Sequence, residues 1–223
     1  MSETLAILVG GGPAPGINGV IASAAMEAFK CGLNVVGIYD GYRDLAAGRP
    51  PKTVELTFDH VSRIHTSGGS ILRTSRTNPA KDEATLERCV RSLSDLGARY
   101  LVCIGGDDTT YGAARIAERA RDRIGVATVP KTIDNDLPLP EYAPSFGFET
   151  ARSVGAGILE SVMEDARTTE RWYVVVCMGR KAGSLALGMC KAAGSTLAVL
   201  PEEFPEPATL ASVVDTIVGA IVK

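Results

Sequence analysis

An α/β fold of two consecutive units with mostly parallel sheets is predicted by three observations. Short apolar runs alternate with helical stretches along the chain. Three of those runs lead directly into glycine-rich or acidic loops, at residues 10–18, 105–109 and 130–136. A helical stretch joins the second loop to the third, which places both at neighbouring strand ends, the edge of a parallel sheet where ligands bind.

The elements follow in order. Residues 5–9 form an unbroken apolar run and read as a buried strand, and the periodic stretch 17–31 reads as a helix stopped by Gly32. Strands are expected at 34–39 and 53–57, then an irregular polar segment at 66–79 and a helix at 81–96. The runs YLVCI (100–104) and IGVATV (124–129) read as buried strands flanking a helix at 110–121. The proline-rich segment 130–144 is the better candidate for a domain junction, giving units at 1–145 and 146–223. In the second unit a helix at 147–165 precedes WYVVVC (172–177), a helix at 183–193 stopped by Gly194, a strand at 196–200 and a helix at 209–222. That unit reuses the strand-helix-strand plan of the first.

With 223 residues, 45% of them hydrophobic, the chain is long enough for a genuine core. Its net charge of -3 and lack of a basic run give no support to a nucleic-acid or membrane surface. Cys31, Cys89, Cys103, Cys177 and Cys190 lie in apolar segments without a C-x-x-C pair, so reduced core thiols are expected and zinc is not. No apolar run approaches ~18 residues, and the residues before the first strand lack a basic leader. A soluble cytoplasmic protein is expected.

In the first loop Gly10, Gly11 and Gly12 stand ahead of a helix, where backbone and helix-terminal amides can approach an anion. A tight structural turn accounts for that loop equally well; neither the G-x-G-x-x-G spacing nor the lysine of a P-loop is present. In GGDDT, Asp107 or Asp108 could cap the following helix. Two carboxylates beside an anion-binding loop would repel phosphate unless one holds a magnesium ion that the phosphate shares, and Asp107 is the metal candidate. In PKTIDND, an extended backbone puts Thr132, Asp134 and Asp136 on one side, where one carboxylate can take a hydroxyl proton, another can help hold metal, and Lys131 can pair with phosphate. The plainer reading is a solvated acidic turn. The segment SGGSILRTSRTNP (67–79) brings Arg73 and Arg76, and Arg171 and Arg180 flank WYVVVC; arginine forks suit phosphate oxygens. Arg73 reads as solvated, and His60 and His65 as ordinary polar residues near a short helix.

Taken together, GGGPAPGIN, GGS with Arg76, GGDDT, PKTIDND, CMGRKAG (177–183) and LPEEF (200–204) resemble the phosphofructokinases, in the family's order and across nearly the whole chain. The resemblance implies two Rossmann-like three-layer units, the first for a phosphoryl donor with Mg²⁺ and the second for fructose 6-phosphate. It implies Asp134 as base on the sugar 1-hydroxyl, Asp107 at the metal, and Arg76 on the transferring phosphoryl group. Gly11, Gly12, Asp108 and Thr109 would line the donor side, with Lys131 favouring the leaving phosphate. Thr132, Asp136, Met178, Gly179, Arg180 and Glu202 would hold the sugar phosphate. Arg171 matches an arginine that reaches across a subunit interface, so a homo-oligomer, dimer or tetramer, is implied.

ATP-using relatives carry glycine where this chain has Asp108 and Lys131, and diphosphate-using relatives resemble this chain at both positions. A carboxylate at Asp108 would repel the α-phosphate of a nucleotide, while Lys131 would neutralise the terminal phosphates of a shorter donor. Inorganic diphosphate is the expected donor, in a reversible glycolytic or gluconeogenic reaction. An ATP-dependent 6-phosphofructokinase and a non-catalytic sugar-phosphate-binding subunit are the alternatives. Family members continue beyond the equivalent of Lys223, so the fold is expected to be C-terminally incomplete.

Overall fold

The computed structural model describes residues 2–205 and 208–222. The chain divides between Lys131 and Thr132 into two compact units, a boundary inside the proline-rich segment 130–144.

Unit 1 is an α/β layer structure around five strands: β1 (Thr4–Val9), β2 (Asn34–Ile38), β3 (Thr53–Glu55), β4 (Ala98–Gly105) and β5 (Gly125–Pro130). Their order is β3-β2-β1-β4-β5, parallel except for β3, which runs antiparallel to β2. Helices α1 (Ile17–Lys30), α4 (Glu83–Asp95) and α5 (Asp107–Ala120) connect the parallel strands, with α2 (Arg43–Ala47) and α3 (Phe58–Val61) as single short turns. Parallel strands covered on both faces are apolar throughout; in β1, Ile7, Leu8 and Val9 are fully buried.

Local sequence sets each helix boundary. Asp82 caps α4, its side chain accepting from Thr85 N at 2.7 Å, and that amide holds the carboxyl below its ordinary pKa. Leu86, Cys89, Val90 and Leu93 then recur at helical spacing and pack with Leu8, Leu101 and Ile116 in the main core. Full burial of each large aliphatic side chain contributes roughly 1.5–3 kcal/mol. Gly32 and Gly194 follow helix ends with φ of 73° and 68°, the left-handed conformation expected of helix stops.

Unit 2 contains α6 (Phe148–Thr169), α7 (Ser184–Ala193) and α8 (Leu210–Val222). A small core of Phe148, Leu159, Leu185 and Met189 joins α6 to α7. Gly155 lets them approach closely, since a Cβ there would lie 2.5 Å from Met189 Cε. The expected strands 172–177 and 196–200 are a correction: both segments lack a ladder among the described residues. A continuous apolar run marks a strand with neighbours on both sides, and here Trp172, Val174 and Val176 remain 75%, 85% and 90% exposed. The sheet is mostly parallel as expected, with β3 the antiparallel edge strand. The five cysteines are free, with Cys89 and Cys103 buried and pushed up to about 12, but Cys31 is exposed rather than in the core. Among the described residues no helix is long and apolar enough to cross a membrane.

Candidate functional site

In unit 1, β1 and β4 are neighbours whose following helices lead to opposite ends of the sheet, the switch point at which a parallel sheet opens a crevice. The loops there are tied by backbone bonds. Gly10 N donates to Ile104 O at 2.8 Å, Gly11 N to Ser75 O at 2.9 Å and Lys131 N to Gly105 O at 2.8 Å. Thr74 Oγ1 adds a bond to Gly11 O at 2.7 Å. The glycine loop, the 67–79 segment, GGDDT and Lys131 therefore meet at one sheet edge. Four residues, Pro13 to Gly16, separate the three glycines from α1, which starts at Ile17 as expected.

Thr109 fixes the spacing of two of these loops. It is only 6% exposed, and a Cβ on Gly10 or Gly105 would lie 2.3 or 2.4 Å from its Oγ1. Its side chain thus lies beneath the loops, where only glycines leave room for it. Asp107 and Asp108 occupy the first turn of α5 and are exposed; Gly106 is the N-cap, so neither aspartate caps the helix as expected. The helix starts three residues early because acidic side chains are favourable in a first turn.

Two cations lie against the glycine loop. Lys131 is 4% exposed and donates from Nζ to Gly12 O. A Cβ on Gly12 would come within 3.7 Å of Arg76 Nη2, and one on Gly11 within 3.5 Å of Lys131 Nζ. Gly11 also has φ 81°, a conformation that favours glycine. Gly11, Gly12, Arg76 and Lys131 thus line one small concavity, with Asp107, Asp108 and Thr109 at the start of the neighbouring helix. Among the described residues no three His, Cys, Asp or Glu side chains gather to hold a metal. One exposed carboxylate beside an anion cradle fits Mg²⁺, which binds through one or two carboxylates plus substrate phosphate.

Unit 2 begins with Thr132, and its acidic segment is not extended as expected. Asp134 N donates to Thr132 Oγ1 at 3.0 Å and Asn135 adopts φ 54°, which together make a turn and break the strict alternation of faces. Ser145, 2% exposed, braces it by accepting from Thr132 N at 2.7 Å and donating its amide to Asn135 Oδ1 at 3.0 Å. Asp134 is half-buried, with Oδ1 shielded from solvent, whereas Asp136 is exposed. Ile133 and Cys177 pack on the same core of Phe148, Leu185 and Met189. The acidic turn and the segment Met178, Gly179, Arg180 therefore flank one cluster.

That second segment is a tight turn: Ala182 N donates to Gly179 O at 2.8 Å, Gly179 has φ 155° and Arg180 has φ 53°. Met178 is 66% exposed and Arg180 is exposed. Glu202 accepts from Gly183 N at 2.7 Å, at the start of α7, and that amide holds its carboxyl below the ordinary glutamate value. Arg171 is exposed immediately after α6. His60 is bonded to Glu55 O at 3.1 Å and His65 is exposed, both outside this site.

The contacts of three residues were not expected from the sequence. Asn18, 2% exposed, donates to Ser67 O and Gly68 O and accepts from Ile71 N, tying α1 to the 67–71 segment. Ser145 braces the acidic turn. Arg73 is exposed as expected and also lies over the Tyr39 ring at 5.7 Å. Only Asn18 carried a signal, as the last residue of GGGPAPGIN.

An α/β protein with glycine loops and two cations gathered at its switch point is the class that this geometry defines. The family described as Phosphofructokinase matches residues 4–220, and the chain belongs to the phosphofructokinase family. A pyrophosphate--fructose 6-phosphate 1-phosphotransferase of Thermotoga maritima is 57% identical over 223 residues, covering 100% of this chain and 53% of that protein. Its namesake in Naegleria fowleri is 50% identical over 227 residues, covering 99% and 52%. The crystal structure of Pichia pastoris phosphofructokinase in the T-state superposes with a TM-score of 0.81 at 25% identity, covering 97% of this chain and 22% of that one. The chain spans about half the length of the curated relatives it matches.

Proposed function

We propose that this chain carries the donor-binding elements and part of the acceptor-binding elements of a diphosphate-dependent 6-phosphofructokinase. The reaction moves the terminal phosphoryl group of diphosphate to the 1-hydroxyl of fructose 6-phosphate, reversibly, in glycolysis or gluconeogenesis. The observation that carries this reading is Lys131, buried with its ammonium on the Gly12 carbonyl, in a unit whose α5 opens on Asp107 and Asp108. A fixed cation suits the terminal phosphates of a short donor, and the extra carboxylate disfavours the α-phosphate of a nucleotide. Both named relatives are pyrophosphate-dependent, which supports the same donor.

Catalysis is positioning and electrostatics. Gly11 and Gly12 admit the donor close to backbone amides, and Arg76 holds the oxygens of the transferring group. Asp107 would hold Mg²⁺, which would supply neutralisation of the phosphate charge. Asp134 takes the proton of the 1-hydroxyl as its oxygen bonds to phosphorus, and the bond to the departing phosphate breaks towards Lys131. Thr132 orients the turn through its bond to the Asp134 amide. Asp136, Met178, Gly179, Arg180 and Glu202 hold the sugar phosphate, and Arg171 reaches a neighbouring subunit of a cytoplasmic homo-oligomer.

The test is fructose 1,6-bisphosphate formation with Mg²⁺ and either diphosphate or ATP. It is run on this chain and on the chain joined to the part of the Thermotoga maritima relative that it does not match. Turnover with diphosphate alone is expected in the longer chain, with Asp134→Asn lowering it about 10²–10⁴-fold. Turnover with ATP alone would overturn the donor assignment. Sugar-phosphate binding without turnover would favour a non-catalytic subunit.

A further inference from the structure

We infer that Arg73 is a positioning residue that latches the Arg76-bearing loop onto the end of β2. The inference rests on the proposed role of Arg76 for its consequence and on geometry for its existence. Arg73 adopts φ 57°, and Asp40, the residue it faces, adopts φ 58°. Left-handed conformation is uncommon for a non-glycine residue and persists where the surroundings over-determine it.

Those contacts are specific. The guanidinium lies 5.7 Å from the Tyr39 ring centroid, and Nη1 is 3.9 Å from Asp40 Oδ2. Asp40 is 6% exposed, and the same oxygen accepts from Arg43 Nη2 at 2.7 Å. The backbone closes the latch: Asp40 N donates to Leu72 O at 3.0 Å, and Arg73 N to Ser70 O at 3.1 Å. Ser70 Oγ returns a bond to Arg73 O at 2.9 Å. Gly37 of β2 makes room for the buried Leu72, whose Cδ2 would sit 2.4 Å from any Cβ there. One residue further on, the loop is tied again, by Thr74 Oγ1 to Gly11 O and by Gly11 N to Ser75 O. Arg76 follows directly, beside Gly12. The segment is thus held at two points, the outer through Arg73 and the inner through the glycine loop, and the outer one limits how far Arg76 can swing.

Arg73→Gly and Arg73→Lys separate side chain from backbone, because glycine adopts the required φ without strain. Wild type and both variants are compared by amide hydrogen exchange at residues 74–76, melting temperature, and calorimetric titration with Mg-diphosphate. Arg73→Gly is expected to keep or raise the melting temperature while residues 74–76 exchange faster and diphosphate binds about threefold to fivefold more weakly. Arg73→Lys, which keeps a cation over Tyr39, is expected to restore most of both losses. Unchanged exchange at 74–76 in Arg73→Gly would overturn the latch, as would faster exchange throughout unit 1 with a lowered melting temperature. If wild type itself binds no diphosphate, the donor reading fails while the exchange comparison still decides the latch.

Discussion

Thr109 governs the distance between two loops by filling the space above its own helix turn, and the two glycines facing it differ in a testable way. Gly10→Ala would drive a Cβ against Oγ1 at 2.3 Å and Cγ2 at 3.0 Å, but only to 3.2 Å from Cβ; Gly105→Ala would meet Thr109 Cβ itself at 2.5 Å. Each single substitution is expected to cost about 1–3 kcal/mol in urea unfolding. Adding Thr109→Ala should recover most of the Gly10→Ala loss and little of the Gly105→Ala loss; equal recovery would contradict the packing. Glu202 offers a pH test. Its folded pKa lies below the unfolded value of roughly 4.3 because Gly183 N donates to it, so its stabilisation is present above that value and is lost as pH falls through the folded pKa. The melting temperature of Glu202→Gln should therefore lie below wild type near neutral pH and converge with it in acid. A gap that persists to low pH would mean that charge is not the cause. The glycines and acids of the site were legible because their residue types are rare in combination. Ser145 and Arg73 were not, because a serine fourteen residues downstream of Lys131 and one arginine among many carry no local signal for the contacts they make.

At the level of elements, periodicity located the parallel strands of unit 1 and the long helices to within a few residues. It failed where structure depends on a partner. β3 pairs antiparallel because the chain between β2 and β3 makes only the short helix α2 and brings the next strand back at the same sheet end. The runs 172–177 and 196–200 have strand composition, yet a strand exists only as a hydrogen-bonded ladder, and neither has one among the described residues. Their amides are accordingly expected to exchange within the fastest class, while those of β1 and β4, paired on both sides, exchange at the slow end. Slow exchange across 172–177 in the isolated chain would show that this segment is paired in solution. Helix α8 is amphipathic by sequence, yet none of its residues is fully buried and Val214 and Val218 stay exposed.

For the whole molecule, the order of loops along the sequence translated directly into their meeting at the switch point, because short right-handed crossovers leave a parallel sheet few alternatives. The boundary between Lys131 and Thr132 divides PKTIDND itself, so the cation of that motif belongs to the unit with the glycine loop, and Thr132, Asp134 and Asp136 belong to the next. The donor choice proposed above would then rest on residues of unit 1, Asp107, Asp108 and Lys131 around Gly11 and Gly12. Calorimetric titration of this chain with Mg-diphosphate and, separately, Mg-ATP tests that assignment most directly. Saturable binding of diphosphate with weaker or no binding of ATP is the predicted result, and tighter binding of ATP than of diphosphate would contradict it.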